Sequence, residues 1–143
     1  MQARRKLRVL LVDDDEVDRM AVSRGLERSG IDAEIRIARD GLEALDILRG
    51  NGTPQIAWPY IILLDLNMPR LDGLGFLDEI RADKDLRRSV VIVLSTSELD
   101  ADKKAAYDAS VAAYVVKRDA GRNFQDLVTL LDSFWSVVSL PEN

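Results

Sequence analysis

The stretch Tyr60-Ile61-Ile62-Leu63-Leu64 is apolar for five residues and then stops at a carboxylate, Asp65. Five residues are too few for a helix, and an apolar run without polar alternation marks a strand buried on both faces. The same construction recurs. Leu7 to Val12 is a branched, apolar run that ends in Asp13-Asp14-Asp15, and Val90 to Leu94 ends in Ser95-Thr96-Ser97. Val111 to Val116 ends in Lys117, and Ala33 to Ala38 alternates with period two, so one of its faces is more polar.

Between these runs lie segments with helical character. Glu16 to Arg28 offers Val17, Met20, Ala21 and Leu26 as core positions and ends at Ser29-Gly30. Asp40-Gly41 opens a helix with Leu42, Leu45 and Leu48 on one face, closed by Gly50. A loop follows from Gly50 through Pro54 to Trp58-Pro59, in which Trp58 reads either as a partner contact or as packing on the sheet edge. After the Pro/Gly loop Asn67-Met68-Pro69-Arg70-Leu71-Asp72-Gly73 comes a helix carrying Phe76, Leu77 and Ile80. A polar helix spans about Leu99 to Asp108, and a strongly periodic one about Asn123 to Val138. Strand and helix thus alternate five times without an internal linker. That order predicts an α/β fold: one doubly wound parallel sheet of five strands with helices on both faces.

Composition narrows the chemistry. At 143 residues the chain fits one domain, and 20 basic against 25 acidic side chains give a net charge of −5. An acidic domain of this size is a poor binder of phosphate backbones, so no nucleic-acid partner is expected. There is no Cys, hence no disulfide, thiolate metal site or thiol nucleophile, and no His, hence no imidazole catalysis or His-ligated zinc. The compartment reads as cytoplasmic. The basic start Met1-Gln2-Ala3-Arg4-Arg5-Lys6 has the flavour of a signal peptide, but the apolar run behind it is too short. No run approaches the length of a membrane span, so no membrane partner is expected.

In such a sheet, ligands bind beyond the carboxyl ends of the strands, where strand order reverses. Those ends carry Asp13, Asp14, Asp65, Ser95 and Lys117. Each also has an ordinary structural reading. Asp15 reads as the cap of the helix from Glu16, Asp65 can start a turn, Ser95 can cap the next helix, and Lys117 can simply end a strand. Their shared edge is what those separate readings explain poorly. Three carboxylates in a small cleft repel one another unless a cation joins them, and oxygen ligands without His or Cys suit Mg²⁺. A carboxylate beside Mg²⁺ is also a competent nucleophile towards a phosphoryl group, with a lysine and a hydroxyl to neutralise its oxygens.

These residues resemble the receiver domain of two-component response regulators, in particular stand-alone receivers, over about Leu7 to Leu131. Leu10-Leu11-Val12-Asp13-Asp14-Asp15 is similar to the family's acidic pair, and Leu63-Leu64-Asp65-Leu66-Asn67-Met68-Pro69 with Asp72-Gly73 to its acceptor loop. Ser95 falls at its Thr/Ser position, and Tyr114-Val115-Val116-Lys117 at its switch aromatic and lysine. The resemblance implies a flavodoxin-like sheet of order 2-1-3-4-5. It implies Asp65 as phosphoryl acceptor, and Mg²⁺ held by Asp14, Asp65 and the backbone carbonyl of Asn67, with Asp13 acting through a metal water. It further implies Ser95 and Lys117 on the phosphoryl oxygens, and Ser95 with Tyr114 as the switch pair. One departure is Arg118, where the family usually has Pro after the lysine. A cis bond before a non-proline residue costs about 3–4 kcal/mol, so Lys117–Arg118 is expected to be trans.

On a 3.6 period, Phe124, Leu127, Val128, Leu131, Phe134, Trp135 and Val138 share one stripe, read as core, while Leu130 and Val137 lie on an outer flank. The ending Phe134-Trp135-Ser136-Val137-Val138-Ser139-Leu140-Pro141 resembles that of receivers associated with bacterial phytochromes, which commonly dimerise through this face. A homodimer through the fourth helix, fifth strand and last helix is therefore expected, with Leu130, Phe134, Trp135 and Val137 as interface candidates. The expected organisation is a single receiver domain over 1–143, with its core at about 7–131 and a helical extension to about 140. No effector domain is expected, since only Glu142 and Asn143 follow Pro141. Output then passes to a downstream protein target.

Two other readings compete with a switch fed by a sensor histidine kinase, a bacterial phytochrome among the candidates. A Mg²⁺-dependent phosphatase with an aspartyl nucleophile resembles this chemistry, but its second Asp, two residues on, is here Asn67. A non-phosphorylated scaffold would not need the intact set Asp13, Asp14, Asp65, Ser95 and Lys117. Because the chain contains no His, its phosphodonor must be another protein or a small molecule.

Overall fold

A computed structural model describes residues 6–143. The basic start Met1 to Arg5, weighed above as a signal-peptide flank, lies outside the described residues. Five strands, β1 (Leu7–Val12), β2 (Ala33–Ala38), β3 (Ile61–Leu64), β4 (Val90–Ser95) and β5 (Ala113–Val116), form one parallel sheet of order β2-β1-β3-β4-β5. The helices are α1 (Glu16–Arg28), α2 (Gly41–Arg49), α3 (Gly73–Ala82), α4 (Asp100–Asp108) and α5 (Gln125–Val137). This is the doubly wound 2-1-3-4-5 arrangement expected from the sequence.

The two faces of the sheet carry separate cores, as side-chain alternation along a strand requires. Leu10, Val12, Ile62, Leu64, Val91 and Val93 meet Leu45, Leu48, Phe76, Leu77, Ile80 and Ala106 from α2, α3 and α4. On the opposite face Val9, Leu11, Ile61, Leu63, Ile92 and Leu94 pack against Val22 and Leu26 of α1 and Leu127, Leu131 and Trp135 of α5. The chain runs from β1 to β2 on one side and returns to β3 on the other, so the crevice where strand order reverses lies between the ends of β1 and β3.

Several expectations are corrected. In α1 the buried residues are Val22 and Leu26, whereas Val17 and Met20 are 74% and 43% exposed. At 100° per residue Val17 points roughly 140° away from Val22, so one face cannot bury both. Leu42, in the first turn of α2, is exposed as well. The third strand begins at Ile61, because Tyr60 turns its hydroxyl to Ser89 Oγ at 2.6 Å and its ring to Trp58, with 4.5 Å between centroids. Trp58 thus packs on the core beside Tyr60. Val111 still bonds back to Ala106 at the end of α4, so pairing with β4 starts only when Ala112 donates to the Val91 carbonyl. The last α-helix starts at Gln125, after a tight turn over Arg122–Phe124 in which Asn123 and Phe124 have φ of 53° and 59°. Val138, the C-cap of that helix, is exposed and not in the core. Trp135 is buried against the sheet, which removes it from the interface surface, whereas Leu130 and Val137 are exposed. No helix among the described residues is long and apolar enough to cross a membrane.

Candidate functional site

Register brings the strand ends level. Val12 pairs with Leu64, so the next residues, Asp13 and Asp65, leave the sheet side by side. Ser95 pairs with Val116, which sets Lys117 one residue beyond it. The backbone keeps the ladder going here, with Asp13 N–H donating to the Ala38 carbonyl and Asp65 N–H to the Val12 carbonyl. Asp13 and Asp65 are therefore buried, while Asp14, next in the chain, is exposed.

One carboxylate oxygen from each of Asp13, Asp14 and Asp65 lies within 4.8 Å of the others. Such a set of hard oxygen donors, in a chain without His or Cys, fits a small divalent cation that keeps part of its water shell. The Lys117 ammonium supplies the positive charge within the chain. It donates to Asp18 Oδ2 at 2.6 Å, to Asp13 Oδ2 at 2.9 Å and to Asp65 Oδ2 at 3.4 Å.

Burial pushes the Asp13 carboxyl up to about 6, with the Asp15 N–H and Lys117 pulling the other way. Burial also raises Asp65, opposed by Lys117 and by the Asn67 N–H that donates to Asp65 Oδ1 at 3.3 Å. Burial alone would lower Lys117, but Asp18 and Asp13 outweigh it and hold the ammonium charged. The arrangement is a strained acidic pocket with one internal counter-ion.

The loops are fixed by side chains that also cap helices. Asp15 accepts from the N–H groups of Val17 and Asp18 and starts α1, as expected from the sequence. Arg19 donates to the Asp13 carbonyl at 2.9 Å and ties α1 to the end of β1. Asp72 caps α3 at Gly75 N–H, and Gly73 N–H returns to the Leu66 carbonyl, which closes the loop after Asp65. Gly73 has no room for a side chain: a Cβ there would sit 2.5 Å from the Asp65 carbonyl oxygen.

Ser95 is fully buried, and its hydroxyl accepts from Ser97 N–H at 3.2 Å. It does not cap α4, whose N-cap is Leu99 without a side-chain cap bond; Ser97 ties the entry to that helix by accepting from Leu99 N–H and donating to Asp102. Tyr114 is half-buried on β5 and donates its hydroxyl to the Ser97 carbonyl at 2.9 Å, so the two members of the expected switch pair meet the same loop. The Lys117–Arg118 bond is trans; among the described residues the one cis bond is Trp58–Pro59. Arg118 instead pairs with Glu98, across the same rim.

Sequence reasoning missed two participants. Asp18 makes the shortest contact to Lys117, and its place in the first turn of α1, three residues beyond the cap Asp15, was the available signal. Arg70, in the loop after Asp65, reaches Asp40 Oδ2 at 2.6 Å. That pair links the loop after Asp65 to the cap of α2.

Comparison with known proteins bears on this geometry. The family model for the response regulator receiver domain matches residues 9–129. The response regulator Rcp1 of Synechocystis sp. (strain ATCC 27184 / PCC 6803 / Kazusa) is 41% identical over 138 residues, covering 93% of this chain and 92% of Rcp1. The crystal structure of the Mn(2+)-bound form of Rcp1 superposes with a TM-score of 0.76 at 38% identity, over 94% of this chain and 99% of that one. The phosphorylated cyanobacterial phytochrome response regulator RcpA gives 0.79 at 34% identity, over 96% and 99%. The bacteriophytochrome response regulator RtBRR gives 0.76 at 32% identity, over 97% and 83%.

Proposed function

The chain belongs to the response regulator receiver family, and from that premise we propose that it is a signalling switch that accepts a phosphoryl group on Asp65. The observation that carries this reading is the position of Asp65, buried at the end of the central strand β3 between Asp13, Asp14 and Lys117. An Asp65 carboxylate oxygen attacks the phosphorus of the donor, a new P–O bond forms, and the donor's bond to phosphorus breaks with its leaving group. Lys117 neutralises one phosphoryl oxygen and the Ser95 hydroxyl donates to another. The residues to hold Mg²⁺ are Asp14, Asp65 and the Asn67 backbone carbonyl, with Asp13 acting through a water. When bound, the ion would add to the charge neutralisation that Lys117 offers at the phosphoryl oxygens. A metal fits because three carboxylates with one lysine leave the pocket net negative. Rcp1, whose structure holds Mn²⁺, supports this choice of ligand class.

The donor in this reading is a sensor histidine kinase of the phytochrome type, in the cytoplasm, supported by the similarity to RcpA and RtBRR. Residues 7–131 with the helical extension to 140 act as one receiver unit, and Ser95 and Tyr114 carry the change to a downstream protein through the α4–β5–α5 face. Two copies associate through that face, where Leu130 and Val137 are exposed. Incubation with Mg²⁺ and acetyl phosphate tests the reading: it requires an acid-stable, base-labile phosphate on the wild type that is absent from Asp65→Asn. An unlabelled wild type means a scaffold, and turnover of assorted phosphomonoesters means a phosphatase.

A further inference from the structure

Lys117 has three N–H donors and three carboxylate acceptors, so its ammonium is fully committed. The distances are unequal. Charge-assisted N–H···O bonds lie at roughly 2.7–2.9 Å; Asp18 and Asp13 hold the nitrogen at 2.6 and 2.9 Å, and Asp65 is left at 3.4 Å. The lysine thus rests towards α1 and away from the residue it would serve. A phosphoryl group on Asp65 brings about two negative charges, shared over three terminal oxygens, that compete for the same ammonium. The donor turned towards Asp65 passes to its phosphoryl oxygen, but a charge-assisted bond there requires the ammonium to close the 3.4 Å gap, and that movement lengthens its contact with Asp13 or Asp18. Asp13 is a poor candidate to give up, because its side chain is 2% exposed and an unpaired charge there is costly. Asp18 is 22% exposed, and water can replace its partner.

We infer that Asp18 is a positioning residue that parks Lys117 away from Asp65 and must release it when the phosphoryl group arrives. The inference rests on Asp65 being the acceptor. Its consequence is that the first turn of α1 competes against the phosphorylated state. Arg19, bonded to the Asp13 carbonyl, keeps that turn in place while it does so. Asp18 lies outside the group of residues that the strand ends deliver, and acts only through the lysine.

The test is a titration with beryllofluoride, a phosphoryl analogue, in the presence of Mg²⁺, followed by the backbone NMR signals of the acceptor loop. Asp18→Asn is expected to bind roughly fivefold more tightly than the wild type, the size of one partly exposed ion pair. Asp18→Glu, which restores the charge and the reach, returns affinity towards the wild type. Glu16→Gln removes the same charge from the same helical turn without touching Lys117 and leaves affinity within twofold. In the metal-free protein the Lys117 side-chain signals move in Asp18→Asn and stay in Glu16→Gln. Equal affinities of wild type and Asp18→Asn, weaker binding by Asp18→Asn, or an equal gain in Glu16→Gln each overturn the inference. A wild type that binds no beryllofluoride overturns the acceptor reading itself, which the acetyl phosphate label reports separately.

Discussion

The Lys117 ammonium lies 2.9 Å from Asp13 Oδ2, and the two side chains are almost closed to water, at 10% and 2% exposure. Even so, burial outweighs the lysine and pushes the Asp13 carboxyl from 3.8 up to about 6. A raised value means that the folded chain holds this proton more tightly than the unfolded one. The resulting stabilisation is complete below 3.8 and is lost as the pH rises through about 6. In chelator, the stability of Asp13→Asn relative to the wild type is therefore expected to grow by on the order of 2–3 kcal/mol between about pH 4 and about pH 7. Urea unfolding at a series of pH values measures it, and a difference that stays flat across that window contradicts the account.

Mg²⁺ should relieve the same repulsion. A ligand that binds only the folded chain stabilises it by about 2.7 kcal/mol at a hundred times its dissociation constant. Thermal unfolding with Mg²⁺ and with chelator should show a gain of this order for the wild type. Asp14→Asn should lose most of it at little cost to the metal-free protein, because Asp14 is exposed. An undiminished gain in Asp14→Asn would mean that the ion acts elsewhere.

Asp40 couples the loop after Asp65 to α2 from outside the pocket. Burial raises its pKa, but the Arg70 side chain and the Glu43 N–H more than reverse this and hold it below 3.8. A depressed carboxylate stabilises the fold above its unfolded value, and the effect fades as the pH falls through the folded one. Asp40→Ala removes both the cap and the Arg70 partner, and is expected to cost about 1–2 kcal/mol at neutral pH. The deficit relative to the wild type should shrink below about pH 4. A deficit that persists unchanged in acid would assign it to packing instead of charge.

Local pattern made much of this molecule legible before its structure. The limits of β1, β2 and α1 follow from apolar runs and from Asp15 as a cap, which are properties of neighbouring residues. The convergence of Asp13, Asp65, Ser95 and Lys117 was readable because strand ends of a parallel sheet share one edge. What escaped was set across the chain. Asp18 meets Lys117 over 99 positions of sequence, and Arg70 meets Asp40 over 30. Val17 and Met20 looked like core because hydrophobicity does not say which way a short helix is turned, and Val22 and Leu26 decided that. Trp135 was hidden for the related reason that the stripe of α5 placed it among both core and interface candidates.

Gly73 shows how tightly the loop after Asp65 is closed. A Cβ at this position would approach the Asp65 carbonyl oxygen to 2.5 Å and Leu66 Cα to 2.6 Å, both backbone atoms that cannot rotate aside. Gly73→Ala must shift the loop or the start of α3, at a cost of roughly 1–3 kcal/mol by the usual range for overpacking. Gly75→Ala is the control, since its closest neighbour is the Leu71 side chain, which can move. Gly73→Ala should lose both stability and acetyl phosphate labelling, and Gly75→Ala should lose much less of either. Equal losses would place the constraint elsewhere.

The proposed dimer makes a demand on α5 that its packing now limits. Trp135 is buried against the sheet, so association must rest on the outer flank, where Val137 is 83% exposed and Leu130 37%. A charge at Val137 sets a desolvation penalty against any apolar contact there, while the monomer, which leaves that side chain in water, is expected to change by less than about 0.5 kcal/mol. Val137→Asp should therefore convert a dimer at tens of micromolar into a monomer with an unaltered unfolding curve. Sedimentation with and without Mg²⁺ and phosphodonor measures this directly. A wild type that stays monomeric in both conditions removes the dimer from the account, and a Val137→Asp protein that still dimerises moves the interface off this flank.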